Sequence, residues 1–151
     1  MEWIWEIHIW TTWTLIGLIW TVHGLVYPQF PNVGNCDWEK YHSFHVRRIG
    51  LIVGPLMVLE FLTGAGLMVS GWETGHRWNL LLGIGIPIPL IWGLTALWAV
   101  PRHNQLSAGY SRRAWGSLMR CNRFRTVFWT GRGAWIVWMV SFVFPDGRAG
   151  F

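Results

Sequence analysis

Residues 49–72 read IGLIVGPLMVLEFLTGAGLMVSGW, and Glu60 is the only charged residue among them. A run this long and this apolar covers the roughly 30 Å of hydrocarbon in a bilayer, which takes about 20 helical residues. Within lipid the backbone must satisfy its own hydrogen bonds, and no alternating pattern indicates a barrel, so the run predicts a helix. Three further stretches match it: residues 3–27, which stop at Pro28; residues 78–100, which stop at Pro101; and residues 125–144, which stop at Pro145. The reading is an all-α polytopic membrane protein: a four-transmembrane-helix bundle in a single transmembrane domain, 1–151. A short amphipathic cytoplasmic segment, Ser107–Arg125, precedes helix four; its Tyr110, Trp115, Leu118 and Met119 alternate with Arg112, Arg113, Arg120 and Arg123. Hydrophobic residues make up 52% of the 151 and charged residues 13%, with 14 Trp. That balance excludes a disordered chain and argues against a soluble domain. The first span opens with Glu2 and Glu6 rather than a basic n-region, so it is expected to stay as a helix and not to be cleaved as a signal.

Basic residues set the expected orientation. Lys40, Arg47 and Arg48 follow helix one, and Arg102, Arg112, Arg113, Arg120, Arg123 and Arg125 follow helix three. The opposite side holds Arg77 and Arg148. The positive-inside rule then places these two loops in the cytoplasm and both termini on the periplasmic side of an inner (cytoplasmic) or photosynthetic membrane. The net charge of +5 reads as contact with anionic membrane lipid, not nucleic acid. Cys36 and Cys121 fall on the cytoplasmic side, where thiols stay free.

Small residues and prolines mark packing. Gly50 and Gly54 form a GxxxG spacing, which lets helix backbones approach. Pro87 and Pro89 are expected to bend helix three and release carbonyls that need other partners. Trp3, Trp5, Trp72 and Trp78 fit an outer interfacial belt, and Trp98, Trp115 and Trp129 an inner one. Trp10, Trp13, Trp20, Trp92, Trp135 and Trp138 lie deeper and read as packing residues.

Charges inside the membrane are costly and usually paired or functional. Glu60 lies about 16 Å past Ile49 and Arg132 about 10 Å past Arg125 at 1.5 Å per residue. A structural ion pair, Glu60–Arg132, therefore joins helices two and four. His23, His45 and His103 converge on the cytoplasmic half with Glu60, Arg132, Asn122 and Arg123, and make the candidate cofactor-binding site. His42 and His45, three apart, form a weak metal-binding pair. Neutral histidine can ligate non-covalent heme or (bacterio)chlorophyll, whereas the absence of CxxCH excludes covalent c-type heme. His8 stands about 22 Å from His23 along helix one, too far to share a ligand.

Three blocks carry a resemblance: His23–Phe30 (HGLVYPQF), Tyr41–Glu60 (YHSFHVRRIGLIVGPLMVLE) and Val100–Arg132, its most specific part running from Asn122 through Arg125, Thr126 and Trp129 to Arg132. Together they resemble a family of small bacterial four-helix integral membrane proteins. The anthrone-oxygenase-like membrane proteins are a looser likeness. More distantly, the chain is similar to the HemJ-type protoporphyrinogen oxidase, which has an early helix-one His near the position of His8. That family's Lys near the start of helix three is Asn79 here. Two functions follow as expectations. The first is a non-enzymatic accessory or assembly subunit of a larger respiratory or photosynthetic complex, packing on other membrane subunits or on its own copies. The second is a membrane-embedded heme-, porphyrin- or quinone-binding oxidoreductase, with its His/Glu/Arg site near the cytoplasmic face. The HemJ likeness makes any enzyme of this kind an oxidoreductase.

Overall fold

The computed structural model describes residues 2–71 and 77–142. Among them no strand forms, and four long helices account for nearly all of these residues. We label them α1 (Trp3–Asn32), α2 (Asn35–Gly71), α3 (Arg77–Ser107) and α4 (Arg112–Phe142). The first three are long and apolar enough to cross a membrane. α4 has the length as well, but its first half carries Arg112, Arg113, Arg120, Arg123 and Arg125. Trp72, Phe144, Pro145 and Arg148, used above for span ends, the outer belt and orientation, lie outside the described residues.

Two helices begin earlier than hydropathy places them. α2 starts at Asn35, not Ile49, and α4 starts at Arg112, not Arg125. The expected separate segment Ser107–Arg125 is in fact the end of α3, a turn and the first turns of α4. The reason is physical. Hydropathy marks where a helix meets hydrocarbon, not where its backbone ends; for the same reason α1 runs past Pro28 to Asn32 and α3 past Pro101 to Ser107. No Pro or Gly lies between Asn35 and Ile49. At 1.5 Å per residue the 37 residues of α2 extend about 55 Å, well beyond the hydrocarbon core. The α3–α4 break falls at Gly109, whose φ of +141° is a backbone conformation that side-chain-bearing residues rarely adopt. Ser111 then caps α4 by accepting the Ala114 amide at 3.4 Å.

Each helix packs on its neighbour in the chain, and α1 closes on α4, so the four surround a common interior. Hydroxyls inside the helices are satisfied locally. Thr11, Thr14, Thr21, Ser70, Thr95 and Thr126 each donate to the carbonyl four residues back. At one end Trp5, Leu67, Leu80, Ile84, Ile88 and Met139 form a buried cluster. The middle is filled by Leu15, Ile16, Ile19, Met57, Ile91 and Trp129. The loop end is filled by Phe30, Trp38, Leu106, Leu118 and Cys121 with Tyr27.

The close helix approaches are not at Gly50 and Gly54. A Cβ at either would meet nothing within 4 Å. They occur at Gly64, Gly83 and Gly133, where a Cβ would stand 2.8 Å from Ile88, 2.7 Å from the Trp135 ring and 2.5 Å from Ile16. Trp10, Trp13 and Trp20 of α1 face outward rather than packing inside, Trp10 being 75% exposed. Trp129, expected at an interface, is 1% exposed and central.

Candidate functional site

The interior polar groups fall into two networks with a cavity between them. The first joins all four helices in the middle of the bundle. Arg132 and Glu60 form an ion pair, with Nη1 donating to Oε1. Arg132 Nη2 also donates to His8 Nε2 at 2.7 Å and to Thr12 Oγ1 at 3.2 Å. Glu60 further accepts from Thr12 at 3.2 Å and, at a long 3.4 Å, from Trp129 Nε1. A guanidinium can only donate, so His8 Nε2 must be unprotonated and its Nδ1 carries the proton. That proton is donated to Thr63 Oγ1 at 2.8 Å, and Thr63 in turn donates to Leu59 O at 2.8 Å. Both nitrogens of His8 are thus engaged, leaving no lone pair for a metal.

The third Arg132 nitrogen, Nε, donates to Gly83 O at 2.9 Å. The residue four beyond Gly83 is Pro87, which has no N–H to offer that carbonyl. A π turn over Leu81–Gly85 absorbs the misfit. Pro87 therefore helps leave an acceptor inside the bundle, and Arg132 takes it. The same arrangement recurs at the loop end. Pro31 stands four residues past Tyr27, and Tyr27 O accepts from Trp115 Nε1 at 2.9 Å.

The second network lies near the loop end. Ser107 donates to His103 O at 3.0 Å, which fixes the direction of every bond behind it. His42 Nδ1–H then donates to Ser107 Oγ at 3.2 Å. His103 Nδ1–H donates to His42 Nε2 at 3.3 Å. Tyr27 O–H donates to His103 Nε2 at 2.9 Å. The result is a directed relay of neutral groups running from buried Tyr27 to exposed Ser107. Trp38 stacks on His42, with centroids 5.1 Å apart and planes at 23°. His45 packs beside it at 6.0 Å from both Tyr27 and His103, and its Nε2 has no hydrogen-bond partner.

The cavity, about 260 Å³, touches all four helices. Its wall is mostly apolar: Leu15, Ile19 and Val22 of α1, Val53 and Met57 of α2, and Ala99 of α3. Gly50 and Gly54 also line it, which explains why no neighbouring backbone approaches them. Its polar lining is Tyr27, Thr95, His103, Asn104, Asn122 and Arg125. Exposed Gly50, Val100 and Asn104 mark a mouth between α2 and α3. Asn122 is 0% exposed, and neither its Oδ1 nor its Nδ2 has a partner. Arg125 is 6% exposed, lies 5.2 Å over the Trp129 ring, and has no carboxylate partner among the described residues. Its Nε is also unpaired. Buried polar groups are normally satisfied, and an unpaired buried cation is costlier still.

The residues singled out from the sequence therefore do not form one constellation. Glu60 and Arg132 belong to the central network, and His103 and His45 to the loop-end cluster. His23 packs edge-on to Trp20, with its Nδ1 unpartnered. His42 and His45 share a face of α2, but both nitrogens of His42 are committed to His103 and Ser107. Among the described residues no group of three or more His, Cys, Asp or Glu could hold a metal ion. Arg123 is exposed. Sequence reasoning left out His8, Thr12 and Thr63 from the ion-pair network, and Arg125 and Tyr27 from the cavity. A signal was present: His8–Thr12, Glu60–Thr63 and Trp129–Arg132 each pair polar or aromatic residues three or four apart, the spacing of one helix face.

No protein-family model matches this chain, and neither a curated protein nor a solved structure shows detectable similarity to it.

Proposed function

We propose that the chain is a four-span membrane protein that holds a quinone-class ring in the cavity between its helices, working beside a membrane redox partner. The observation that carries this reading is Asn122. It is fully buried at the cavity wall with both carboxamide atoms unpaired, next to Arg125, which has no carboxylate partner among the described residues. Such a pair supplies hydrogen-bond donors to a carbonyl oxygen, and the surrounding Leu, Val and Met side chains suit an apolar ring and tail. A cavity of about 260 Å³ is below the usual range for drug-sized ligands and favours one ring over a tetrapyrrole. The locked nitrogens of His8, His42 and His103 weigh the same way against axial ligation. The Tyr27–His103–His42–Ser107 relay gives the ring a route for proton exchange with the surface, the role that makes a quinone site useful.

In this reading α4 crosses the membrane through its apolar half after Arg125. Arg132 enters the bilayer already neutralised by Glu60. The loop end, with its excess of arginines, faces the cytoplasm. An accessory subunit that merely packs on partners would rest on outward aromatic faces such as Trp10, which lipid covers equally well.

The test is titration of the purified chain in neutral detergent with decylubiquinone, read by calorimetry, with decanoate as a ring-free anionic comparison. Arg125→Gln and Asn122→Leu should each weaken decylubiquinone at least tenfold, a loss of about 1.4 kcal/mol or more. Arg47→Gln, on the exposed face of α2, should not. Decanoate binding more tightly than decylubiquinone, or affinity indifferent to both cavity variants, overturns the quinone assignment.

A further inference from the structure

Outside the bundle, at the junction of α3 and α4, two surface depressions meet at a single side chain. The first is a polar pocket of about 540 Å³, lined by Arg102, Arg113 and Arg120 with Ser111, Ser117 and Gln105. The second is a shallow groove of about 570 Å³ along α3, lined by Leu90, Gly93, Leu94, Leu97 and Trp98, and it ends on the same Arg102. A hydrogen bond from Trp98 Nε1 to Ser117 Oγ at 2.9 Å ties the wall of the groove to the wall of the pocket.

The charge in this pocket is uncompensated. Neither α3 nor α4 contains an Asp or Glu, and among the described residues none of the three arginines has a carboxylate partner. Arg102 Nη1 donates to Gln105 at 2.7 Å, while its Nε is buried with no partner. The N-terminus of α4 opens onto the same pocket through Ser111, adding the positive end of a 31-residue helix. The groove, by contrast, is apolar and outward-facing, Leu97 being 83% exposed. From Leu90 to Arg102 it runs roughly 18 Å at 1.5 Å per residue, about the depth of one leaflet of a 30 Å core.

We propose that this composite surface is a binding site for one anionic phospholipid of the surrounding membrane. Its phosphate is held by Arg102, Arg113 and Arg120, and one acyl chain lies in the groove beside Gly93. A basic pocket at the headgroup level joined to an apolar groove one leaflet deep matches such a lipid in both charge and length. The assignment does not depend on the inner cavity, which is on the other side of α3 and α4.

Thermal unfolding of the full chain in neutral detergent tests it, with phosphatidylglycerol, phosphatidylcholine or inorganic phosphate added. Phosphatidylglycerol should raise the midpoint by several degrees, and the other two should not. A Cβ at Gly93 meets nothing within 4 Å, so Gly93→Leu fills the groove without disturbing the fold and should abolish the shift. Arg113→Gln with Arg120→Gln should abolish it too, while Arg47→Gln with Arg48→Gln, which removes the same charge from α2, should keep it. Equal response to phosphatidylcholine removes the headgroup contact. Full response to inorganic phosphate removes the lipid and leaves an anion site. An undiminished shift in Gly93→Leu removes the groove. If the arginine pair variant fails to fold, native mass spectrometry of Arg120→Gln decides: retained phosphatidylglycerol equal to the parent chain overturns the site.

Discussion

Glu60 and Arg132 show how a single residue can be both a liability and a determinant of the fold. Either charge alone would be expensive at this depth, and together they are acceptable because every neighbouring polar atom is used. Breaking a buried pair by removing one partner typically costs about 3–5 kcal/mol. Glu60→Gln and Arg132→Met should each lower the unfolding midpoint in detergent sharply. The double variant should lose clearly less than the sum, as residues in one network do; strictly additive losses would show that the two side chains act independently. His8 belongs to the same unit. Its ring is held by Arg132 on one side and Thr63 on the other, so His8→Phe should forfeit both bonds. This pair was legible in the sequence because two opposite charges stood alone in apolar runs. His8 was not, because depth along a helix says nothing about which way a ring turns.

Elements in this protein are shaped by what their breakers leave behind. Pro87 cannot donate to Gly83, the carbonyl left exposed is the one Arg132 binds, and α3 accommodates both with a π turn. Replacing Pro87 with Ala improves helix propensity by about 3 kcal/mol in an isolated helix. Here it should still lower the unfolding midpoint, because a new N–H draws Gly83 O back toward the helix ladder and weakens its bond from Arg132 Nε. A raised midpoint would mean that the proline is only a kink. The glycines separate in the same way. Gly83→Ala drives a methyl into the Trp135 ring and should cost about 1–3 kcal/mol. Gly54→Ala meets open space, so its fold should hold while the cavity narrows and decylubiquinone binds more weakly. GxxxG spacing on α2 predicted a contact and found a cavity wall, because spacing identifies a small-residue face but not what stands opposite it. Helix existence was readable from apolar length. Helix ends were not, because α2 and α4 begin well before their apolar parts and α1 and α3 run on through Pro28 and Pro101.

At the scale of the whole molecule, the charge asymmetry and the two cysteines make orientation testable. Lys40, Arg47, Arg48 and the arginines of early α4 all gather at the end where α1 joins α2 and α3 joins α4. Cys36 opens α2 at that end and is exposed, whereas Cys121, from α4, is buried at the same end. Its Sγ lies 3.4 Å from Leu94 O as a weak donor. If the arginine-rich end faces the cytoplasm, a membrane-impermeant maleimide should label Cys36 in inverted membrane vesicles but not in intact spheroplasts. Cys121 should stay unlabelled in both until the protein is denatured. Labelling of Cys36 in spheroplasts would invert the topology and place Ser107, the outer end of the histidine relay, on the periplasmic side. The ring proposed for the cavity would then exchange protons with that compartment, so the same labelling experiment fixes both the orientation of the bundle and the direction of any proton movement coupled to it.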